Sequence, residues 1–172
     1  MYEENVSEWE NYHGTNLLHN MYNEKESKWY YLFQLKVITD ILSQDSKMRK
    51  KIDKKLCIQE RDLKSVLHVF LPNASGKMSR VEYMLLHDLA TFGDSLNAKK
   101  KSIFLECDFA VGYERMKKRG RPAEASLTFA EYRELCVKMD AVKPFCTHVI
   151  DCTFLSSEET ARKVFGIMLE VR

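Results

Sequence analysis

Apolar residues recur along this chain with two spacings, and each predicts a different kind of element. Trp29, Phe33, Val37 and Ile41 stand four apart, which places them on one face of a helix. Four further helix starts are marked by Ser or Thr with Glu three residues later, at Ser7/Glu10, Ser79/Glu82, Thr128/Glu131 and Ser156/Glu159. In such a pair the hydroxyl and the carboxylate satisfy each other's otherwise orphaned backbone N–H groups. Between these helices lie three short apolar runs without helical period, Lys55–Gln59, Ser102–Glu106 and His148–Asp151, which read as buried strands. Buried strands alternating with helices predict an α/β fold with a parallel sheet flanked by helices, and ligands in such sheets gather at the carboxyl ends of the strands. Those ends carry Glu60-Arg61-Asp62, Glu106-Cys107-Asp108 and Asp151. No repeat or linker interrupts the pattern, so residues 1–172 are expected to form a single domain.

Composition narrows the chemistry. With 27 Lys and Arg against 25 Asp and Glu, the net charge of +2 supplies no broad field for a nucleic-acid backbone, and a local cation cluster must hold any anion. An apolar fraction of 45% with only 6 Gly and 3 Pro excludes disordered and low-complexity classes. The 5 cysteines include no C-x-x-C pair and read as small core residues of a protein in a reducing compartment. An acidic start and the lack of a long apolar run predict neither signal peptide nor membrane span, hence an intracellular, cytoplasmic protein with no nucleic-acid or membrane partner. The 5 histidines show no metal-ligand spacing.

Three places carry candidate chemistry. Glu60-Arg61 after a buried strand offers a carboxylate for a metal ion and a guanidinium for a phosphate or hydroxyl oxygen, with a plain surface ion pair as the competing reading. From Arg115 to Arg121, 5 of 7 residues are cations around a helix that ends near Gly120. Complementing the helix dipole needs fewer, and an Arg-rich loop suits neutralisation of a transferred phosphoryl group. Gln34 stands beside the Trp29/Phe33/Val37/Ile41 stripe, where an amide with one donor end and one acceptor end can read the edge of a planar base.

Together these pieces resemble the deoxynucleoside kinases. The resemblance runs through Glu4-Asn5-Val6-Ser7-Glu8-Trp9, Asn16-Leu17-Leu18-His19-Asn20-Met21-Tyr22, Lys28-Trp29 with Phe33-Gln34, Glu60-Arg61-Asp62, and Tyr113-Glu114-Arg115 through Glu124. It implies a P-loop-kinase-like fold, ATP and Mg2+ as cofactor and metal, a deoxynucleoside as substrate, and a homodimer built on helices near 29–44 and 80–96. It also implies residue roles. Glu4 is the general base toward the sugar 5'-hydroxyl, a function worth about 10² to 10⁴ in rate. Glu60 serves magnesium, Arg61 holds the 5'-oxygen region, and Gln34 reads the base. Trp9, Phe33 and Phe70 flank the base, while Val37, Ile41 and Val66 shape the pocket. Tyr22 and Glu124 bind the 3'-hydroxyl, and Arg115, Arg119 and Arg121 embrace the phosphates from a lid.

The family's first strand and its phosphate loop, G-x-x-x-x-G-K-[ST], are expected ahead of Glu4 and do not occur within the sequence; Gly76-Lys77-Met78 lacks the pattern. Two smaller departures are Asp62 for the usual Ser and Asn5 for Pro. The expectation is therefore a kinase-like chain impaired in phosphoryl transfer, with a non-catalytic nucleoside-binding or partner-binding relative as the alternative.

Overall fold

The computed structural model describes residues 4–24, 26–49, 58–96 and 101–169. The chain divides into two compact units, Met1–Ala98 and Lys99–Arg172.

The first unit is helical. Helix α1 spans Val6–Glu10 and α2 spans Leu17–Asn23, capped by the Asn16 side chain accepting from the His19 N–H. The Ser7/Glu10 capping pair expected from the sequence does not form. Asn5 occupies the N-cap without a side-chain bond, and Ser7 lies inside α1. Helix α3, Ser27–Arg49, is longer than its apolar stripe and buries Phe33, Val37, Ile38 and Ile41, with Gln34 and Asp45 among them. The expected strand Lys55–Gln59 lies largely outside the described residues.

Beyond it, one continuous helical run changes pitch. Leu63–Ser65 (α4) is capped by Asp62, Val66–Phe70 is a π-helical turn, and Leu71–Ala74 (α5) resumes the α pitch. Such π turns displace side chains from the regular spiral and recur at functional sites. Helix α6, Arg80–Ser95, starts with the full Ser79/Glu82 capping box and buries Leu86, Ala90 and Gly93 along one stripe against α3. A Cβ on Gly93 would stand 2.5 Å from Leu42 Cδ2 and 2.6 Å from Leu63 Cδ1, so this glycine sets how closely α3, α4 and α6 approach.

The second unit holds the sheet. Strand β1, Ile103–Glu106, pairs in parallel with β2, His148–Asp151, with Ile103 opposite His148 and Glu106 opposite Asp151. Both strands fall where the apolar runs predict them, but they are not buried throughout as expected: Leu105 and Val149 are 49% and 48% exposed, while Ile150 is 6% exposed. Between them come α7, Phe109–Arg119, and α8, Phe129–Met139, and α9, Ser157–Leu169, follows β2. The capping boxes at Thr128/Glu131 and Ser156/Glu159 both form. Helix α7 stops at Gly120, whose φ of +69° is left-handed backbone that suits a residue without Cβ. Among the described residues the sheet has two strands.

Candidate functional site

The site in the first unit is organised by Glu4. Its carboxylate, 9% exposed, meets Arg61 Nε at 2.9 Å, and its backbone N–H donates to Glu60 Oε2 at 3.2 Å. Two segments distant in sequence are thereby joined, and the junction carries both charge signs. Arg61 turns its other side to Phe70, with Cζ 4.6 Å from the ring centroid. Phe70 closes the π turn, so the change of helical pitch supplies the platform under the guanidinium.

Glu4, Glu60 and Arg61 line one small cavity together with Trp9, Val37 and Ile41, six positions singled out from sequence. The same wall includes Asn5, which the sequence reading noted only as a departure from Pro, and Asp40 and Gln44, to which it gave no role. The cavity holds about 10 Å³, room for a single water. Trp9 is 6% exposed, packs edge-on against Phe33 with centroids 5.4 Å apart, and donates its indole N–H to Asp40 Oδ2 at 2.8 Å. Asp40 was legible in principle, since it falls one turn beyond Lys36 and next to Ile41, but a helix-surface i,i+4 ion pair is the ordinary reading of that spacing.

Gln34 is 4% exposed, and its buried Oε1 has no hydrogen-bond partner among the described residues. Most buried polar atoms are paired, because an unmade bond costs the full desolvation of the group. This acceptor, one turn from Val37 and two from Ile41, is open to a donor that the described residues do not supply. Val66 is buried in the π turn at 1% exposure and Tyr22 is 45% exposed at the end of α2. Neither of them, nor Phe33, Gln34 or Phe70, is on the described cavity wall, so the structure brings only six of the expected first-unit site residues together there.

The cation-rich segment belongs to the second unit, where its arginines have separate partners. Arg115 donates to the carbonyls of Cys152, Thr153 and Leu155, each at 3.1 Å, and so ties α7 to the loop after β2. Arg119 Nη2 contacts both carboxylate oxygens of Glu124 at 3.0 and 2.8 Å, and Arg121 Nη1 lies 3.6 Å from Glu124 Oε1. Glu124 thus serves as counter-ion to Arg119 and Arg121. Tyr113 stabilises this loop from below, donating to the Leu127 carbonyl and packing on Phe129 and Tyr132. Burial pushes the Tyr132 hydroxyl well above its usual range, and the Cys136 thiol beside it raises it further.

Cys107 and Cys152 follow paired ends of β1 and β2. Burial pushes the Cys107 thiol up, against the pull of Arg115. The four described cysteines are half-buried, not core residues as expected, and form no disulfide among the described residues.

Among the described residues no group of three or more His, Cys, Asp and Glu side chains forms a metal-binding set. The exposed Glu60 carboxylate still suits Mg2+, an ion commonly bound by one or two carboxylates with substrate phosphates completing its shell. No helix among the described residues is long and apolar enough to cross a membrane.

Residues 1–159 match the family model described as deoxynucleoside kinase, and with its P-loop-kinase-like α/β organisation, a parallel strand pair flanked by helices, the chain belongs to that family.

Proposed function

We propose that this chain binds a deoxynucleoside in the cavity walled by Trp9 and takes part in transfer of the ATP γ-phosphoryl group to its 5'-hydroxyl. The observation that carries this reading is the Glu4–Arg61 pair, a shielded carboxylate held at 2.9 Å by a half-exposed guanidinium on the wall of that cavity. Glu4 takes the hydroxyl proton as the oxygen attacks, and Arg61 steadies the oxygen region from the cation face opposite Phe70. Gln34 accepts a hydrogen bond from the base edge, which gives its orphaned oxygen a partner. A cavity of about 10 Å³ must widen to admit a nucleoside. Glu60 would hold Mg2+, which when bound neutralises charge on the transferred phosphate. Arg119 and Arg121 would exchange the Glu124 carboxylate for phosphate oxygens.

A second copy of the chain is the proposed partner of α6, whose Val81, Leu85 and Phe92 are 69%, 56% and 62% exposed. Light scattering across a dilution series tests this face, with Leu85→Glu expected to leave monomers.

The test of the main reading is calorimetric titration with the four natural deoxynucleosides beside a labelled-ATP phosphorylation assay. Binding of at least one, with transfer reduced about 100-fold or more in Glu4→Gln and affinity nearly unchanged, is the expected result. Binding without transfer in the parent assigns a nucleoside-binding role instead. No binding of any deoxynucleoside overturns the reading.

A further inference from the structure

Trp9 is held by a chain of charged groups that the catalytic reading leaves unused. Lys36 Nζ lies 2.6 Å from Asp40 Oδ1 and 2.8 Å from Glu8 Oε2, while Asp40 Oδ2 accepts the Trp9 indole N–H at 2.8 Å. Lys36 also sits 5.0 Å above the ring of Tyr12. An exposed ion pair of this spacing contributes little, but the Lys36 and Asp40 side chains are each only 12% exposed, so their charge-assisted bonds act with little competition from water. Burial works against the Lys36 charge, and the bonds to Asp40 and Glu8 overcome it, leaving the ammonium held above its ordinary range.

Geometry gives this chain a single output. Helix α1 has five residues and no side-chain cap, too little to hold its own conformation. Helix α1 also packs on α2, but the indole itself is gripped by α3 at two points, its N–H by Asp40 and its ring by an edge-on contact with Phe33. A flat ring held at two points has one orientation. Asp40 lines the same cavity as the ring it holds.

We propose that Asp40, held by Lys36, which Glu8 holds in turn, is a positioning residue that sets the Trp9 ring as the wall of the nucleoside pocket. The proposal rests on the nucleoside-binding reading for its effect on substrate, but its effect on Trp9 stands alone. The ring contacts ligand in ground and transition states alike, so loss of its orientation raises KM and spares kcat.

The chain has 2 tryptophans, so a Trp29→Phe parent reports Trp9 fluorescence alone. In that parent Asp40→Leu keeps the approximate shape and removes the acceptor, whereas Asp40→Asn keeps an oxygen for the indole N–H. Asp40→Leu is expected to shift Trp9 emission to the red without ligand and to raise the deoxynucleoside KM at least tenfold with kcat within about twofold, the tenfold rise being about 1.4 kcal/mol. Asp40→Asn is expected to restore most of both. A plain structural tether would lower the melting temperature in both variants without moving emission or KM, and that result overturns the proposal. So does a fall in kcat at constant KM. Should Asp40→Leu not fold, Lys36→Met probes the preceding link, with a smaller red shift and a KM rise of at least threefold expected, and parent-like values overturning the proposal. If the Trp29→Phe parent phosphorylates no deoxynucleoside, the transfer part of the proposed function fails by itself and the emission of the variants decides the Asp40 role.

Discussion

Replacing Gln34 by Leu should make the empty protein more stable and the bound state unreachable. Gln34 is 4% exposed and its Oε1 has no partner among the described residues, so the folded chain bears the desolvation of an amide oxygen with no bond in return. That cost is about 1 to 3 kcal/mol for a neutral group. Leucine fills nearly the same space without a polar atom, so most of the cost is recovered. For a chain of this length each kcal/mol moves the melting temperature by about 2 to 4 °C, which predicts a rise of about 2 to 12 °C. Scanning calorimetry with and without nucleoside reads both halves of the prediction. At a ligand concentration about 100 times the dissociation constant the parent should gain about 2.7 kcal/mol, and Gln34→Leu at the same concentration should gain almost none. A variant that melts below the parent would mean that Oε1 is satisfied. A variant with undiminished ligand stabilisation would remove Gln34 from base recognition.

Three other outcomes are expected. Gly93→Ala should destabilise the first unit by about 1 to 3 kcal/mol in denaturant unfolding, because the added carbon meets Leu63, which is 0% exposed and has no room to withdraw. Arg115→Met should accelerate amide hydrogen exchange at Leu155 at least fivefold while α7 keeps its protection, since it removes the guanidinium bonds to Cys152, Thr153 and Leu155. The capping bonds from Ser79, Thr128 and Ser156 hold the Glu82, Glu131 and Glu159 carboxyls below their ordinary value of 4.5. Each therefore contributes stability that is present above about pH 4.5 and lost as pH falls through the lowered folded value. An acid titration followed by circular dichroism should show this loss, and the triple Glu→Gln variant should show a shallower one.

Local signals along the chain were read correctly wherever one residue pair decides the outcome. Three capping boxes, the stop at Gly120 and both described strands lie where the pattern puts them. Ser7/Glu10 failed because Asn5 took the capping position one residue before Val6, and α1 ends at Glu10 itself. The cavity-lining positions Glu4, Trp9, Val37, Ile41, Glu60 and Arg61 were legible through motif order. For Asp40 the sequence shows only the i,i+4 spacing from Lys36, and its role stays hidden because it depends on Trp9, 31 residues away, where no spacing rule within α3 reaches. The π turn at Val66–Phe70 was also invisible, since its residues have the same apolar pattern that an α-helix uses. Nor could composition show that Arg115 bonds three carbonyls while Arg119 and Arg121 share one carboxylate. That division depends on where β2 ends relative to α7.

The parallel pairing of β1 with β2 also sets a clock on biosynthesis. The two strands join residues 45 positions apart, as in the bond from Thr147 to the Ser102 carbonyl. At about 5 to 20 residues per second, a ribosome exposes β1 for roughly 2 to 9 s before its partner is made. During that interval Ile103, Phe104 and Leu105 form an apolar strand without a partner, the kind of segment that neighbouring nascent chains can capture. Slower translation through residues 107–147 would lengthen that exposure, so codon choice in this stretch bears on soluble yield in a way that no property of the finished protein records.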